Sequence, residues 1–140
     1  KYGLEPEHFA PWIFETKSTL KYFTDVLQSD SKHAAYMAMT KDKIIGTISI
    51  AKRDKYYEIR CFYVKPINQG EGIGTTLWQK AMEFRKTNLP IRIMVAETLV
   101  SARKMYERWG FKTTGKKEMY HYDEWPKGLE NAYLWYEKTN

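Results

Sequence analysis

Three alternating glycines stand where an anionic group could bind. The segment Gln69-Gly70-Glu71-Gly72-Ile73-Gly74 joins an apolar stretch that ends at Pro66 to a helical pattern that begins at Gly74. Glycines let backbone N–H groups converge, and N–H groups at a helix N-terminus bind phosphate oxygens with help from the helix dipole. The spacing predicts a phosphate-binding turn. The alternative is a purely structural turn, in which glycines are needed because the backbone has positive φ at several positions.

Other glycine-rich motifs fit this segment poorly. A dinucleotide-binding fingerprint that starts at Gly70 needs a further glycine at position 75, where the chain has Thr75. A P-loop needs Gly-Lys followed by Ser or Thr, and that combination does not occur in the sequence. The residues alone therefore predict an anion site without naming the anion.

The elements around this turn follow from hydrophobic periodicity. Helical patterns cover 7–29, 74–86 and about 100–109, and strand patterns cover 35–39, 44–51, 56–65, 91–96, 111–119 and 130–137. Short polar turns join the first three strands, which predicts an antiparallel meander. The strand–helix–strand unit after it calls for parallel pairing of the strands that end near 65 and 96. We therefore expect one domain over residues 1–140, a mixed α/β (α+β) sheet with helices on its faces.

Composition narrows the class of protein. The chain has 140 residues, and its net charge of +6 is spread without a run of like charges, which argues against a nucleic-acid-binding protein. No apolar run approaches the roughly 18 residues that cross a bilayer, so we expect no membrane partner. The single cysteine, Cys61, excludes an internal disulfide and is consistent with a reducing cytoplasm. The three histidines lack metal-ligand spacing, so we expect no metal.

Two sequence blocks carry a family resemblance. The first is Val64-Lys65-Pro66 followed by Gln69, Gly72 and Gly74, and the second comprises Ala102, Tyr106, Gly110 and Phe111. Together they resemble the acetyl-CoA signature of the GNAT superfamily of N-acetyltransferases, over about three quarters of the chain. Leu99 stands where the family often has Asn, which puts one polar contact to the cofactor in doubt. The family's first strand is not evident before residue 7, so either the chain begins inside the domain or residues 1–6 are its remnant.

The resemblance implies a binding mode for acetyl-CoA as cosubstrate. The sheet would be mostly antiparallel with one splayed parallel pair, and the pantetheine arm would lie between the two splayed strands. Backbone groups of Phe62, Tyr63 and Val64 would hold the arm. The pyrophosphate would sit on the N–H groups of seven consecutive residues: Gln69, Gly70, Glu71, Gly72, Ile73, Gly74 and Thr75.

Transfer of the acetyl group needs an acid and a base. An amine with a pKa near 10 is almost fully protonated at pH 7, a barrier of about 4 kcal/mol. Glu58 is the first candidate base, because some family members carry a catalytic Glu at this offset and its even spacing from Phe62 and Val64 predicts a shared strand face. Glu97, after the next parallel strand, is the second candidate. By resemblance, Tyr106 protonates the leaving thiolate, and its alternative role is core packing.

The acceptor is open at this stage. Asp123 and Glu124, among aromatic residues, could form a cage for a cationic amine such as a polyamine, or a solvated loop. Cys61 is assigned to strand packing rather than nucleophilic catalysis. The sequence favours an N-acetyltransferase acting on a primary amine of a small molecule or peptide by direct attack in a ternary complex. The alternative is a non-catalytic CoA-binding sensor on the same fold. The aromatic C-terminal strand could support a homodimer.

Overall fold

The computed structural model describes residue 21 and residues 24–25, 32–120 and 131–139. Within these ranges the elements are β1 (His33–Thr40), β2 (Lys43–Lys52), β3 (Tyr57–Val64), a short 3-10 helix (Pro66–Asn68), α1 (Ile73–Phe84), β4 (Ile91–Ala96), α2 (Val100–Arg108), β5 (Lys112–Tyr120) and β6 (Asn131–Lys138). Each element predicted within them is present, with ends displaced by two residues at most. Across the same ranges, no helix has the length and apolar character needed to span a bilayer.

The six strands form one sheet in the order β1-β2-β3-β4-β6-β5. Neighbours pair antiparallel except β3 and β4, which are parallel. The predicted meander and the predicted parallel pair are therefore confirmed. The sequence did not predict that β6 would lie between β4 and β5.

Both described helices pack against the same face of the sheet. Leu77 and Ala81 of α1 share a buried core with Ile48 of β2 and with Tyr106 of α2. The ring centroids of Trp78 and Trp109 are 5.1 Å apart, which links α1 to the end of α2. The helices predicted within 7–29 lie outside the described residues, apart from helical residues at 21, 24 and 25.

Gly46 allows α1 to approach β2 closely. A Cβ atom built there would lie 3.0 Å from Leu77 Cδ1 and 3.1 Å from Ile73 Cγ2. The first turn of α1 is thus held against the sheet at a position where a larger residue would meet it. This contact fixes where the helix begins relative to β3.

The ends of both helices have local causes. Arg85 is extended after α1 and donates a hydrogen bond from Nη2 to the carbonyl oxygen of Leu89 at 2.8 Å, so the helix ends two residues before the predicted Lys86. Gly110 follows α2 with φ 93° and donates its N–H to the carbonyl oxygen of Glu107 at 3.0 Å. It therefore occupies the left-handed position that commonly ends a helix, as the sequence predicted.

Candidate active site

The parallel strands separate after three residue pairs. Tyr57, Glu58 and Ile59 of β3 pair with Ile91, Arg92 and Ile93 of β4, and the register stops there. Both strands continue, β3 to Val64 and β4 to Ala96. Residues 60–64 and 94–96 therefore flank a gap in the sheet, where backbone groups are not paired across it. The splayed pair implied by the family resemblance is confirmed.

A β-bulge at Cys61 changes which face the later residues of β3 present. Ser49 lies opposite Arg60, whereas Thr47 lies opposite Tyr63, so β3 holds one extra residue between these pairs. Cys61 has φ 50°, a left-handed value that is uncommon outside glycine. An inserted residue reverses the alternation of side chains along the strand.

The shared face predicted for Glu58, Phe62 and Val64 is therefore wrong. Glu58 and Tyr63 are on the sheet face of Thr47 and Ser49, because directly opposed residues point the same way. Phe62 packs instead on the helical face, with its ring centroid 6.0 Å from that of Trp78. Strand period alone could not reveal the extra residue, because the local sequence has no glycine at the bulge.

The glycine-rich turn is open and exposed. Gly70 has φ 85° and Gly72 has φ 81°, and a Cβ atom at either position would have no heavy atom within 4 Å. Both glycines therefore have a left-handed backbone, and the space beside each of them is open. Gln69 donates from Nε2 to the carbonyl oxygen of Val64 at 3.1 Å, which ties the turn to the end of β3.

The start of α1 lacks a side-chain cap. Gly72 is the N-cap residue, and no side chain accepts a hydrogen bond from the first turn there. The first N–H groups of a helix have no partner within the helix, and the helix dipole makes that end favourable for negative charge. The open turn and the uncapped N–H groups of Ile73, Gly74 and Thr75 fit a phosphate group.

Glu58 is buried among guanidinium groups. Its relative accessibility is 6%. Its Oε2 lies 2.5 Å from Arg60 Nε and 3.5 Å from Arg53 Nη2. The predicted face would have placed this acid beside Phe62 and Val64, whereas the structure surrounds it with charged partners. The sequence could have indicated Arg60 as a neighbour of Glu58, because the two residues are two apart on one strand and such residues share a face.

Glu97 lies in the turn between β4 and α2. Its Oε2 is 3.3 Å from Lys117 Nζ, and its side chain is 43% exposed. Its carbonyl oxygen accepts a hydrogen bond from Arg103 Nη1 at 2.8 Å. The carboxylate is therefore an exposed ion-pair partner, in a less enclosed setting than that of Glu58.

Tyr106 is part of an aromatic cluster on the helical face, formed by Phe62, Trp78, Tyr106, Trp109 and Phe111. Its ring centroid is 6.4 Å from that of Phe62, so α2 contacts β3 just beyond the bulge. Burial raises the pKa of the Tyr106 hydroxyl, because the ionised form is poorly solvated there. At neutral pH the side chain is therefore protonated and able to donate.

The structure brings some predicted site residues together and separates others. Phe62 and Val64 approach the glycine turn, since a Cβ at Gly74 would lie 3.7 Å from Val64 Cγ2 and 3.9 Å from the Phe62 ring. Tyr106 contacts these residues through the ring of Phe62. Glu58 is on the opposite face of the same strand. The acidic loop with Asp123 and Glu124 lies outside the described residues.

Comparison with known proteins decides the family. The acetyltransferase (GNAT) domain model matches residues 5–122. The chain belongs to the GNAT acetyltransferase family. In this GNAT domain, the mostly antiparallel sheet, the splayed pair and the glycine turn at a helix start are the features that the family resemblance implied.

Two curated relatives and two solved structures are similar to this GNAT chain. N-acetylaspartate synthetase of Danio rerio is 27% identical over 126 residues, which cover 79% of this chain and 45% of that protein. The protein of the same name from Xenopus tropicalis is 31% identical over 87 residues, or 59% of this chain and 32% of that protein. The chain thus spans less than half the length of these relatives.

The solved structures share the fold. PaiA N-acetyltransferase from Thermoplasma acidophilum, in complex with coenzyme A, has 22% identity and a TM-score of 0.65, covering 99% of this chain and 81% of that chain. Nourseothricin acetyltransferase has 22% identity and a TM-score of 0.62, covering 77% of this chain and 65% of that chain.

Proposed function

We propose that this domain binds acetyl-CoA along β3 and transfers the acetyl group to a primary amine. The observation that carries the proposal is the gap between residues 60–64 and 94–96, which opens beside the uncapped start of α1. An extended thiol-bearing arm can fill such a gap by pairing with strand backbone, while its phosphates reach the helix N-terminus.

The cofactor side of the site uses mainly backbone groups. The N–H groups of residues 69–75 would hold the pyrophosphate, and backbone groups of Phe62, Tyr63 and Val64 would hold the arm. Open space at Gly70 and Gly72 supports close approach by a phosphate. Bound acetyl-CoA supplies an activated thioester, and the crystal complex of the PaiA relative with coenzyme A supports a CoA ligand in this fold.

Tyr106 is the proposed acid. As the nitrogen–carbon bond forms and the carbon–sulfur bond breaks, the departing sulfur takes the hydroxyl proton of Tyr106. The tyrosine then regains the proton that the new amide nitrogen loses, so the transfer step balances. Burial raises the pKa of this hydroxyl, so it carries its proton when acetyl-CoA binds.

Glu58 is the proposed base, and Glu97 is the second candidate. Before attack, an ammonium group must lose a proton, and Glu58 receives it directly or through water. Glu58 is buried and lies two residues before the gap, whereas Glu97 is more exposed, so Glu58 is the favoured base. Arg60 and Arg53 would orient its carboxylate.

The test is release of free thiol from acetyl-CoA in the presence of single amines. The panel holds amino acids, polyamines, aminoglycosides and short peptides, and acetylated products are identified by mass spectrometry. Acetylation of at least one amine supports the enzyme. Tight CoA binding without turnover on any amine supports the sensor that keeps the glycine turn and needs neither Glu58 nor Tyr106.

A further inference from the structure

Arg60 lies on β3 where the gap begins. It is the first residue of β3 beyond the last pair with β4. Its Nε donates to Glu58 Oε2 at 2.5 Å, and its side chain is 56% exposed. Within residues 32–120 and 131–139, no further ion pair of this guanidinium is found. A guanidinium has further N–H groups besides Nε, and at this exposure they can donate to an anion that reaches the gap from solvent.

The charges around Glu58 do not cancel. Among the residues that the structure describes, Arg53 and Arg60 both pair with this one carboxylate, so this group of three side chains carries one excess positive charge. The neighbouring Arg92 is balanced separately, because its Nε lies 2.6 Å from Glu137 Oε2. An excess positive charge beside a partly enclosed gap attracts anionic acceptors and repels cationic ones such as polyamines.

We propose that the acceptor is an amino acid, whose carboxylate binds Arg60 while its amine lies towards Glu58. This inference rests on the proposed acetyl transfer and names the acceptor class for that site. Glu58 and Arg60 form an adjacent negative and positive pair, and an amino acid offers an ammonium and a carboxylate on one carbon. A planar guanidinium suits a carboxylate because it can donate two parallel hydrogen bonds.

The experiment compares acceptors that differ by one carboxylate. Ornithine is paired with putrescine, lysine with cadaverine, and leucine with isopentylamine, each with saturating acetyl-CoA. The measured quantity is the ratio of kcat/KM for the two members of a pair. Charge-assisted recognition by one guanidinium predicts a ratio of roughly tenfold to a hundredfold in favour of the amino acid.

Substitutions of Arg60 test whether this side chain causes the preference for amino acids over the matched amines. Arg60→Gln should bring this ratio close to one, mainly by raising KM for the amino acid, while KM for acetyl-CoA stays unchanged. Arg60→Lys should restore part of the ratio, because the charge returns without the bidentate geometry. Arg108→Gln is the matched control, since Arg108 is exposed in the last turn of α2, and it should leave the ratio intact.

Binding of the same pairs to the CoA-loaded protein, followed by ligand-detected NMR, separates this inference from the proposed function. Arg60-dependent binding of amino acids without turnover would contradict acetyl transfer while supporting the acceptor class. Turnover with equal or greater efficiency on putrescine, cadaverine and isopentylamine would overturn the acceptor class while supporting the transferase. Equal losses for both members of each pair in Arg60→Gln would also overturn it. Neither binding nor turnover of any amino acid would overturn the acceptor class, and a lack of turnover on every amine as well would overturn the transferase.

Discussion

Thr47 donates its hydroxyl hydrogen bond to the carbonyl oxygen of Cys61 at 2.7 Å. Thr47 is fully buried on β2, and Cys61 is the positive-φ residue of the bulge in β3. The neighbouring Ser49 donates in the same way to the carbonyl oxygen of Arg60 at 3.1 Å. Two side chains of β2 thus donate to carbonyl groups at the bulge and next to it.

Thr47→Val should destabilise the bulge while keeping the shape of the side chain. Removing the hydroxyl deletes one hydrogen bond to a part-buried carbonyl oxygen, which costs about 0.5–1.5 kcal/mol of unfolding free energy. Because the bulge sets the backbone of Phe62, CoA affinity should fall as well. Denaturant unfolding and calorimetric titration with CoA measure the two effects.

Thr47→Ser is the control for that change, since it retains the donor and loses only a methyl group. It should keep CoA affinity near that of the parent protein. If Val and Ser variants bind CoA equally well, the bulge does not govern the cofactor site.

Gly74→Ala should separate folding from cofactor binding. Gly74 has an ordinary helical backbone, and a Cβ there would meet only Val64 and Phe62 at van der Waals distance. Alanine favours a helix over glycine, so stability should hold or rise by up to about 1 kcal/mol. The new methyl group lies in the first turn of α1, among the N–H groups that are proposed to hold the pyrophosphate.

CoA affinity of Gly74→Ala should accordingly fall roughly tenfold or more, equivalent to about 1.4 kcal/mol. Thermal unfolding and CoA titration on the same preparation give both quantities. A stable variant that binds CoA as tightly as the parent would contradict a pyrophosphate site at the start of α1.

Tyr106→Phe should change stability at alkaline pH. Burial raises the pKa of this hydroxyl in the folded protein above its ordinary value near 10. Above pH 10 the unfolded chain therefore loses the proton first, and this group's contribution to stability is lost as pH rises, by about 1.4 kcal/mol per pH unit. Below that pH both states keep the proton, so no such slope arises.

The Phe variant lacks this slope, and the difference between the two proteins isolates Tyr106 from the lysines and other tyrosines. Unfolding in denaturant at several values between about pH 8 and 11 measures it. At neutral pH the same variant should lose about a hundredfold in kcat if the hydroxyl protonates the leaving sulfur. Full turnover would limit Tyr106 to core packing.

Glu58→Gln should reduce turnover by about a hundredfold and flatten the dependence of kcat/KM on pH, because the side chain can no longer accept a proton. CoA affinity should stay unchanged, since Glu58 is on the face away from the aromatic cluster. Steady-state kinetics across pH and CoA titration test both statements.

Two further variants show whether the loss is specific. Glu137→Gln breaks the ion pair to Arg92 in a similar setting and should have little effect on turnover. Glu97→Gln tests the second candidate base directly. A large loss in the Glu97 variant together with an intact Glu58 variant would exchange the two roles.

Most of the fold could be predicted from the sequence because its signals are local. Alternating apolar residues in β2 and the apolar run of β4 define strands, and Pro66 with the glycines that follow marks the strand-to-helix turn. Parallel pairing of β3 with β4 followed from the strand–helix–strand order, in which α1 connects the two strands. These inferences need no knowledge of distant partners.

The remaining features depend on contacts between distant segments. The bulge at Cys61 is supported by Thr47 and Ser49 from another strand, so residues 60–62 alone give no signal of it. The charged partners of Glu58 are closer in sequence, since Arg53 lies in the turn before β3 and Arg60 lies on β3 itself. The change of strand face at the bulge was therefore the part that the sequence could not supply.

The position of β6 has a consequence for the order of assembly. β6 lies between β4 and β5, although β5 precedes it along the chain. During synthesis from the N-terminus, β5 therefore leaves the ribosome before the strand that must pair with it exists. Until the last eight-residue strand emerges, β4 keeps an open edge and β5 has no place in the sheet. Residues 94–96 of β4, which border the gap, therefore gain their neighbouring strand only after β6 has been synthesised.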